Sequence, residues 1–371
     1  MNKAYLIIPK RDSHALPEAV TLAETAGYQI ARVWKSRYPN RVGRGLIAEI
    51  ASHAEQDRPS VIIFYGNPQP SAVYKLMLET RTRVIDRVQL ILEIFVKHAG
   101  SREAMLQIEM ARIKHELPLV RELIRRSKMG ELPGFLGPGR YAIDSYYRHL
   151  TSRLAKLRRE LEKLRKLRSA RIETRRHAGM LHVAITGYAS AGKTTLFNKL
   201  TGLSKPTGPE YFTTLHPKHY RVRVSGRDVV FIDTVGFIRD VPPSIIEAFY
   251  STLEEVASSD SIIFVVDISE DFQSIREKLL AGFETLSRIG AIGKPIIIAA
   301  NKIDLLSEDE LDERLSLIKA EALALGAVRV IPVSAAKEVN VKRVAEDAVS
   351  AALEPANLGD LWEGLRAEAW P

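Results

Sequence analysis

From Ala4 to about Ala99, short apolar runs alternate with stretches of helical period. AYLIIP, YQIARVW and SVIIFYG have the length of strands, and PEAVTLAETAG, GRGLIAEIASHAEQ and PSAVYKLMLETR carry helical spacing between them. Such alternation predicts a small parallel α/β unit, to which VIDRVQLILEIFVKHA adds one more short strand and a helix. The next region is helical throughout. Leu106, Met110, Ile113, Leu117, Val120 and Ile124 step by four and three, and so do Leu150, Leu154, Leu157, Leu161 and Leu164. Each set is a narrow apolar seam of coiled-coil type. Between them GELPGFLGPG, Gly130 to Gly139, holds too much glycine and proline to be helix. Two seams joined by one loop predict an antiparallel helical hairpin, kinked at Pro118.

From about Met180 to Pro355 the alternation returns. LHVAITG, VVFIDTVG, SIIFVVDIS, PIIIAANKID and VRVIPVSA are apolar runs of strand length, nearly continuous, as in a parallel-rich sheet covered on both faces. The predicted layout is an N-terminal α/β unit over 1–100, the hairpin over 101–178, a second α/β domain over 179–355 and a tail over 356–371. The tail carries Trp362 and Trp370 and reads either as a short docked helix or as a loose end.

Composition narrows the class. With 371 residues, 27% charged and 46% hydrophobic, the chain has enough length for two or three domains. No apolar run reaches the roughly 18 residues of a membrane span, and MNKAYLIIPKRDSH has neither the apolar length nor the cleavage site of a signal peptide. Cysteine is absent, which removes disulfides and thiol chemistry and sets the cytoplasm as the expected location. The net charge of +9 favours anionic partners. From Arg148 to Arg176 there are twelve Lys or Arg and three Glu, so this one helix carries a surplus equal to that of the whole chain. A solvated charged face is one reading. Contact with RNA phosphates is the other, with the 130–139 tip, including Phe135 and Leu136, as the element that probes an RNA cavity.

The candidate chemistry lies in the third region. Gly187 to Thr194 reads G-x-x-x-x-G-K-T, between a predicted strand and a predicted helix. In that context Gly187, Tyr188, Ala189, Ser190, Ala191 and Gly192 form a backbone wrap whose N–H groups point at phosphate oxygens, assisted by the start of the following helix. Lys193 then reaches the β- and γ-phosphates, Thr194 is a magnesium ligand, and Thr195 is a further nucleotide-binding residue. Asp233, ending the strand VVFID, is the second expected Mg²⁺ ligand, and the Gly236 N–H faces the γ-phosphate. In EYFTTLHPKHY, Thr213 and Thr214 are both candidates to close on Mg²⁺, with Thr214 favoured. Lys193, Thr214 and Gly236 are therefore the candidates for contact with the transferred group. In AANKID, Asp304 can accept from guanine N1–H and the exocyclic amine, a donor pair that adenine lacks. Asn301 and Lys302 brace the loop and cover the base, and Ser334 and Ala335 of PVSAAK offer backbone to the guanine carbonyl. Four motifs in order, each at a strand end, imply a P-loop domain that binds GTP or GDP with Mg²⁺.

With these motifs in place the chain resembles HflX-type GTPases. The further matches are VIDRVQLILEIFVKHA, LQIEMARIKHELP, the Gly137-Pro138-Gly139 turn and DTVGFIRDVPPSIIEAFYSTLEEV, over about Gly43 to Pro355. The resemblance implies the domain order read above and a GTPase that binds the large ribosomal subunit and acts in ribosome dissociation or rescue; the charge of the basic hairpin makes that hairpin the expected contact with ribosomal RNA. A monomer is expected. The chain departs from the family in two places. RYAID, Arg140 to Asp144, stands where the family has Glu-Thr-Gln-Leu-Glu, and Ser190 stands where it tends to have Asn, so potassium stimulation is not carried over.

Phe237 occupies the position at which many hydrolytic GTPases place a water-orienting glutamine. The ring either swings away while another group places the water, or marks a slow switch that turns over when docked, or fills a gap under the switch helix. The first two readings predict slow turnover in isolation. Arg239 is a solvated arginine or an internal charge stabiliser. Two accounts of function follow: a GTPase whose hydrolysis times its release from ribosomes, and a nucleotide-gated RNA- or ribosome-binding module with negligible turnover. An RNA-modifying GTPase requires a catalytic cysteine or a folate-type domain and ranks last.

Overall fold

The computed structural model describes residues 2–129, 138–177, 180–203, 218–234, 236–237, 250–291 and 293–354, with side chains for all of these except 128, 138–142, 168–177 and 250–252. The chain forms two compact units. The first extends through Arg165 and the second begins at Lys166.

In the first unit the strands are β1 (Asn2–Pro9), β2 (Tyr28–Ser36), β3 (Val61–Phe64) and β4 (Val84–Asp86), joined by α1 (Leu16–Thr25), α2 (Arg44–Asp57) and α3 (Pro70–Thr80) and followed by α4 (Arg87–His98). They form a parallel sheet of order β2-β1-β3-β4. β1 is buried from Ala4 to Pro9, as a central strand covered on both faces must be. β2 at the edge alternates exposed and half-buried positions. Tyr5, Ile7, Ile50, Ile62, Phe64 and Leu76 make the core between the sheet and α2 and α3. Asp86 closes β4 and caps α4 in a capping box with Gln89.

Helix α5 (Arg102–Lys128) and helix α6 (Pro138–His177) pair along both predicted seams. Their direction is fixed by polar contacts. Arg102 meets Glu160, Glu109 meets Arg153 and Glu116 meets Tyr146, so one helix advances by seven as the other retreats by seven. That is the antiparallel arrangement read from the leucine spacing. Leu157 and Leu161 are buried between the helices, each worth ~1.5–3 kcal/mol of apolar transfer. α5 continues through Pro118, which is exposed. α6 begins at Pro138, so the last two residues of the predicted loop are helical. Proline at the first helical position lacks only an N–H that has no intrahelical partner anyway. Residues 130–137, with Phe135 and Leu136, lie outside the described residues, as does 356–371.

The second unit holds a six-stranded sheet of order β10-β9-β8-β5-β7-β6: β5 (Leu181–Gly187), β6 (Lys218–Val224), β7 (Arg227–Asp233), β8 (Ser261–Asp267), β9 (Ile296–Asn301) and β10 (Arg329–Val333). Its helices are α7 (Lys193–Thr201), α8 (Tyr250–Ser258), α9 (Phe272–Arg288), α10 (Glu308–Ala324) and α11 (Val341–Leu353). Five strands are parallel, and β6 pairs antiparallel with β7. β6 is the one strand that the apolar runs did not reveal. None of its residues is buried, and Lys218, Arg221 and Arg223 break any apolar run. Its turn is legible afterwards, since Ser225 and Gly226 both have positive φ, the geometry of a two-residue hairpin.

Candidate functional site

Register places the motif ends along one edge of the second sheet. Gly187 of β5 pairs with Val265 of β8, and Asp267 at the end of β8 pairs with Asn301 of β9. Val333 of β10 also pairs with Asn301, and Asp233 ends β7. This carboxyl edge is where open α/β sheets bind ligands.

The loop 187–192 has a shape that side chains would spoil. Gly187 has φ +135°, and a Cβ on it would lie 2.2 Å from the Val265 carbonyl oxygen. Gly192, at φ +95°, caps α7, and its Cβ would lie 2.2 Å from Asn301 Nδ2. Ser190 between them holds a left-handed φ of 61°, a conformation that Asn and Gly adopt at less cost. Lys193 is buried and its Nζ donates to the Tyr188 carbonyl at 2.5 Å. Burial pushes its ammonium down to about 8, against which the Asp233 carboxylate acts.

Asn301 braces this loop to the next two. Its Nδ2 donates to the Ala191 carbonyl at 2.8 Å, and its Oδ1 accepts from the Ala335 N–H at 2.9 Å. Asp304 sits exposed in the short 3₁₀ turn Ile303–Leu305. The buried Ser334 hydroxyl donates to its Oδ1 at 2.5 Å, fixing the carboxylate. Lys302, at φ 71°, reaches Asp267 Oδ2 at 2.5 Å. Asp267 also accepts from the Ser269 N–H and hydroxyl. Sequence reading missed Asp267, although an acid directly after the apolar run SIIFVV was the available signal.

Gly236 is buried beside the loop; a Cβ on it would lie 2.6 Å from Lys193 Nζ and 3.0 Å from Ala189. The Phe237 N–H donates to the Gly187 carbonyl at 2.9 Å, and its carbonyl accepts from the Ala189 N–H at 2.8 Å. This is a one-residue β-bridge between Phe237 and Tyr188. The Phe237 ring is 1% exposed. It meets the Tyr188 ring edge-on at 6.4 Å and the Phe264 ring at 6.1 Å, and Phe264 in turn meets Phe283 at 5.9 Å. This inward packing matches two of the three readings, a ring turned away while another group places the water and a ring that fills interior space.

The residues suit a magnesium-bound triphosphate in donor chemistry and in shape. Thr194 Oγ1 and the Asp233 carboxylate are hard oxygens, and the glycine cradle beside them admits no side chain. Thr213, Thr214 and Arg239 lie outside the described residues, as does His216. Among the described residues no group of three His, Cys, Asp or Glu is placed to hold a metal. His115 and His219 instead face Asp86 and Glu255. Among them, too, no helix is long and apolar enough to cross a membrane.

Three families match along the chain: GTP-binding GTPase N-terminal over residues 13–96, GTP-binding GTPase Middle Region over 98–175, and 50S ribosome-binding GTPase over 182–302. GTPase HflX of Hyperthermus butylicus is 52% identical over 335 residues, which are 88% of this chain and 89% of the relative. GTPase HflX of Thermofilum pendens is 41% identical, over 92% of this chain and 80% of the relative. A GTP-binding protein of Sulfolobus solfataricus, solved in complex with GDP, superposes with a TM-score of 0.53 at 32% identity, over 95% of this chain and 99% of that one.

Proposed function

The chain belongs to the HflX family of GTPases, and on that premise we propose that it is a monomeric cytoplasmic GTPase that turns over slowly alone and acts on the large ribosomal subunit, in dissociation or rescue. The observation that supports slow turnover is the Phe237 ring, packed on Tyr188 and Phe264 where an amide is needed to orient water. A partner that supplies the missing group sets the rate.

In this reading the backbone N–H groups of residues 187–195 hold the phosphates, and Lys193 carries positive charge to the β- and γ-oxygens. Gly236 offers its N–H to the γ-phosphate. Thr194, Asp233 and Thr214 would hold Mg²⁺, which would supply charge neutralisation to the phosphates. Asp304, held by Ser334, reads the guanine edge. Asn301 keeps base loop and phosphate loop in register, Lys302 covers the base, and Ala335 faces its carbonyl.

Ribosome contact is assigned to α6. Arg148, Lys156, Arg158, Arg159, Lys163 and Lys166 are all exposed, while Arg153 is taken up by Glu109. Cosedimentation with purified large subunits tests the assignment. Binding should be stronger with a non-hydrolysable GTP analogue than with GDP, and weaker in Arg158→Glu/Arg159→Glu/Lys163→Glu. Binding indifferent to both nucleotide and charge reversal contradicts it. The same Phe237 packing also fits a nucleotide-gated binder with negligible turnover, which is recognised by tight binding without stimulated hydrolysis.

A further inference from the structure

Asp267 belongs to none of the nucleotide motifs, yet its carboxylate is built into their frame. β8 and β9 lie side by side, so Asp267 at the end of one pairs with Asn301 at the end of the other. Just beyond, the Ile268 N–H donates to the Asn301 carbonyl at 3.0 Å. Arg314 of α10 holds the same turn, donating to the carbonyls of Ile268 and Glu270. Within the turn, Asp267 Oδ1 accepts from the Ser269 N–H at 3.0 Å and from its hydroxyl at 2.6 Å. Both lone pairs of that oxygen are thus used, and Oδ2 accepts from Lys302 Nζ at 2.5 Å. The Asp267 side chain is 10% exposed and that of Lys302 31%.

The neighbouring acids are committed elsewhere. Glu270 pairs with Lys278, Asp271 caps α9 through the Ser274 N–H, and Asp304 is held by Ser334. Asp267 is the one ion-pair partner of Lys302 among the described residues. Lys302 itself follows Asn301 directly and stands at φ 71°, a left-handed backbone that residues other than glycine seldom adopt. A lysine stem left free loses its rotamer freedom when it comes to lie on a base. One anchored at its ammonium has already lost it.

We propose that Asp267 is a positioning residue for the guanine nucleotide: it anchors the Lys302 ammonium, so that the methylene stem is set in advance as the cover of the base. The inference rests on the reading of Lys302 as that cover. The effect falls on the base and not on the phosphates, so GDP and GTP share it equally. It acts on departure of the nucleotide more than on arrival.

Asp267→Asn is isosteric. Its amide oxygen still accepts from Ser269, and its NH₂ then faces the Lys302 ammonium donor to donor, so the lysine is released while the turn is kept. The test follows release of fluorescent GDP from the full chain by stopped flow, and equilibrium binding of GDP and a non-hydrolysable GTP analogue. It compares Asp267→Asn, Lys302→Met and the double variant, with thermal unfolding as the control for folding. Asp267→Asn should release GDP about three- to tenfold faster, weaken both nucleotides by that same factor and leave the association rate unchanged. In the Lys302→Met background the same substitution should change release by less than about twofold. A loss of equal size in both backgrounds overturns the proposal, because Asp267 then acts through its turn and not through the lysine. Release unchanged in Asp267→Asn but faster in Lys302→Met also overturns it, and leaves Lys302 standing as the cover. Release unchanged in Lys302→Met sinks that reading and the proposal together. A loss confined to the GTP analogue places the effect at the phosphates and overturns it as well. Should Asp267→Asn fail to fold, Ser269→Ala replaces it: the charge stays, its orientation loosens, and release should quicken about twofold only while Lys302 is present.

Discussion

Replacing Asp304 with asparagine should invert base selectivity with little effect on the fold. Asp304 is exposed in its turn, and one carboxylate oxygen is held by the Ser334 hydroxyl at 2.5 Å. In the aspartate the site presents only acceptors to guanine N1–H and N2. In Asp304→Asn, Ser334 still donates, so it selects the amide oxygen and turns the NH₂ toward the base. That sets donor against donor. Two charge-assisted hydrogen bonds are lost, at ~1.5–3 kcal/mol each, so GTP and GDP should bind about 10²–10⁴-fold more weakly. Xanthine carries a carbonyl at C2, an acceptor for that NH₂, and XDP should gain on GDP by a similar factor. Displacement of a fluorescent nucleotide by GDP, XDP and ADP measures this directly, with thermal unfolding as the control for folding. An Asp304→Asn protein that binds GDP within about threefold of the unaltered chain shows that another group reads the base.

Four other expectations rest on three separate residues. Phe237→Gln should not accelerate hydrolysis, because the side chain faces Tyr188 and Phe264 at 1% exposure; burying an amide there should cost ~1–3 kcal/mol, and a variant that is both faster and equally stable refutes the packing argument. Lys193 is held at about 8 in the folded chain against 10.5 unfolded. The unfolded chain therefore binds more protons between those values, and the contribution of Lys193 to stability rises with pH across that window; Lys193→Met should flatten that slope in urea titrations, and an unaltered slope refutes it. Because polyphosphate favours the charged amine, GDP binding above pH 8 should also take up protons, visible by calorimetry in buffers of different ionisation enthalpy. Gly192→Ala drives a Cβ to 2.2 Å from Asn301 Nδ2 and should weaken GDP and GTP alike by at least about tenfold, as read by equilibrium binding; a loss confined to GTP contradicts a shared cradle.

Much of this was legible because the signals are local. β1, β3, β5, β8 and β9 are buried along most of their length and read as unbroken apolar runs, and the leucine seams of α5 and α6 fixed an antiparallel pair whose register the Glu109–Arg153 contact then supplies. The glycines at 187 and 192 announced a backbone wrap for a reason the structure gives in full, since Val265 and Asn301 fill the space a side chain would need. What escaped was set by distant neighbours or by position in the sheet. β6 is an exposed edge strand, so its residues are polar. The direction of the Phe237 ring depends on Tyr188 and Phe264, which no local pattern connects to it. The hold of Asp267 on Lys302 depends on β8 and β9 lying side by side. Pro138 was read as a breaker because proline signals loop and helix start alike.

The central claim is that a GTPase with a buried phenylalanine in place of a water-orienting amide takes its rate from the large ribosomal subunit. Steady-state phosphate release from GTP, measured with and without purified large subunits, tests it most directly. The account predicts slow release alone and a clear increase with subunits, diminished when Arg158, Arg159 and Lys163 are reversed to glutamate. Fast release by the isolated chain, or a rate that large subunits leave unchanged, would contradict it.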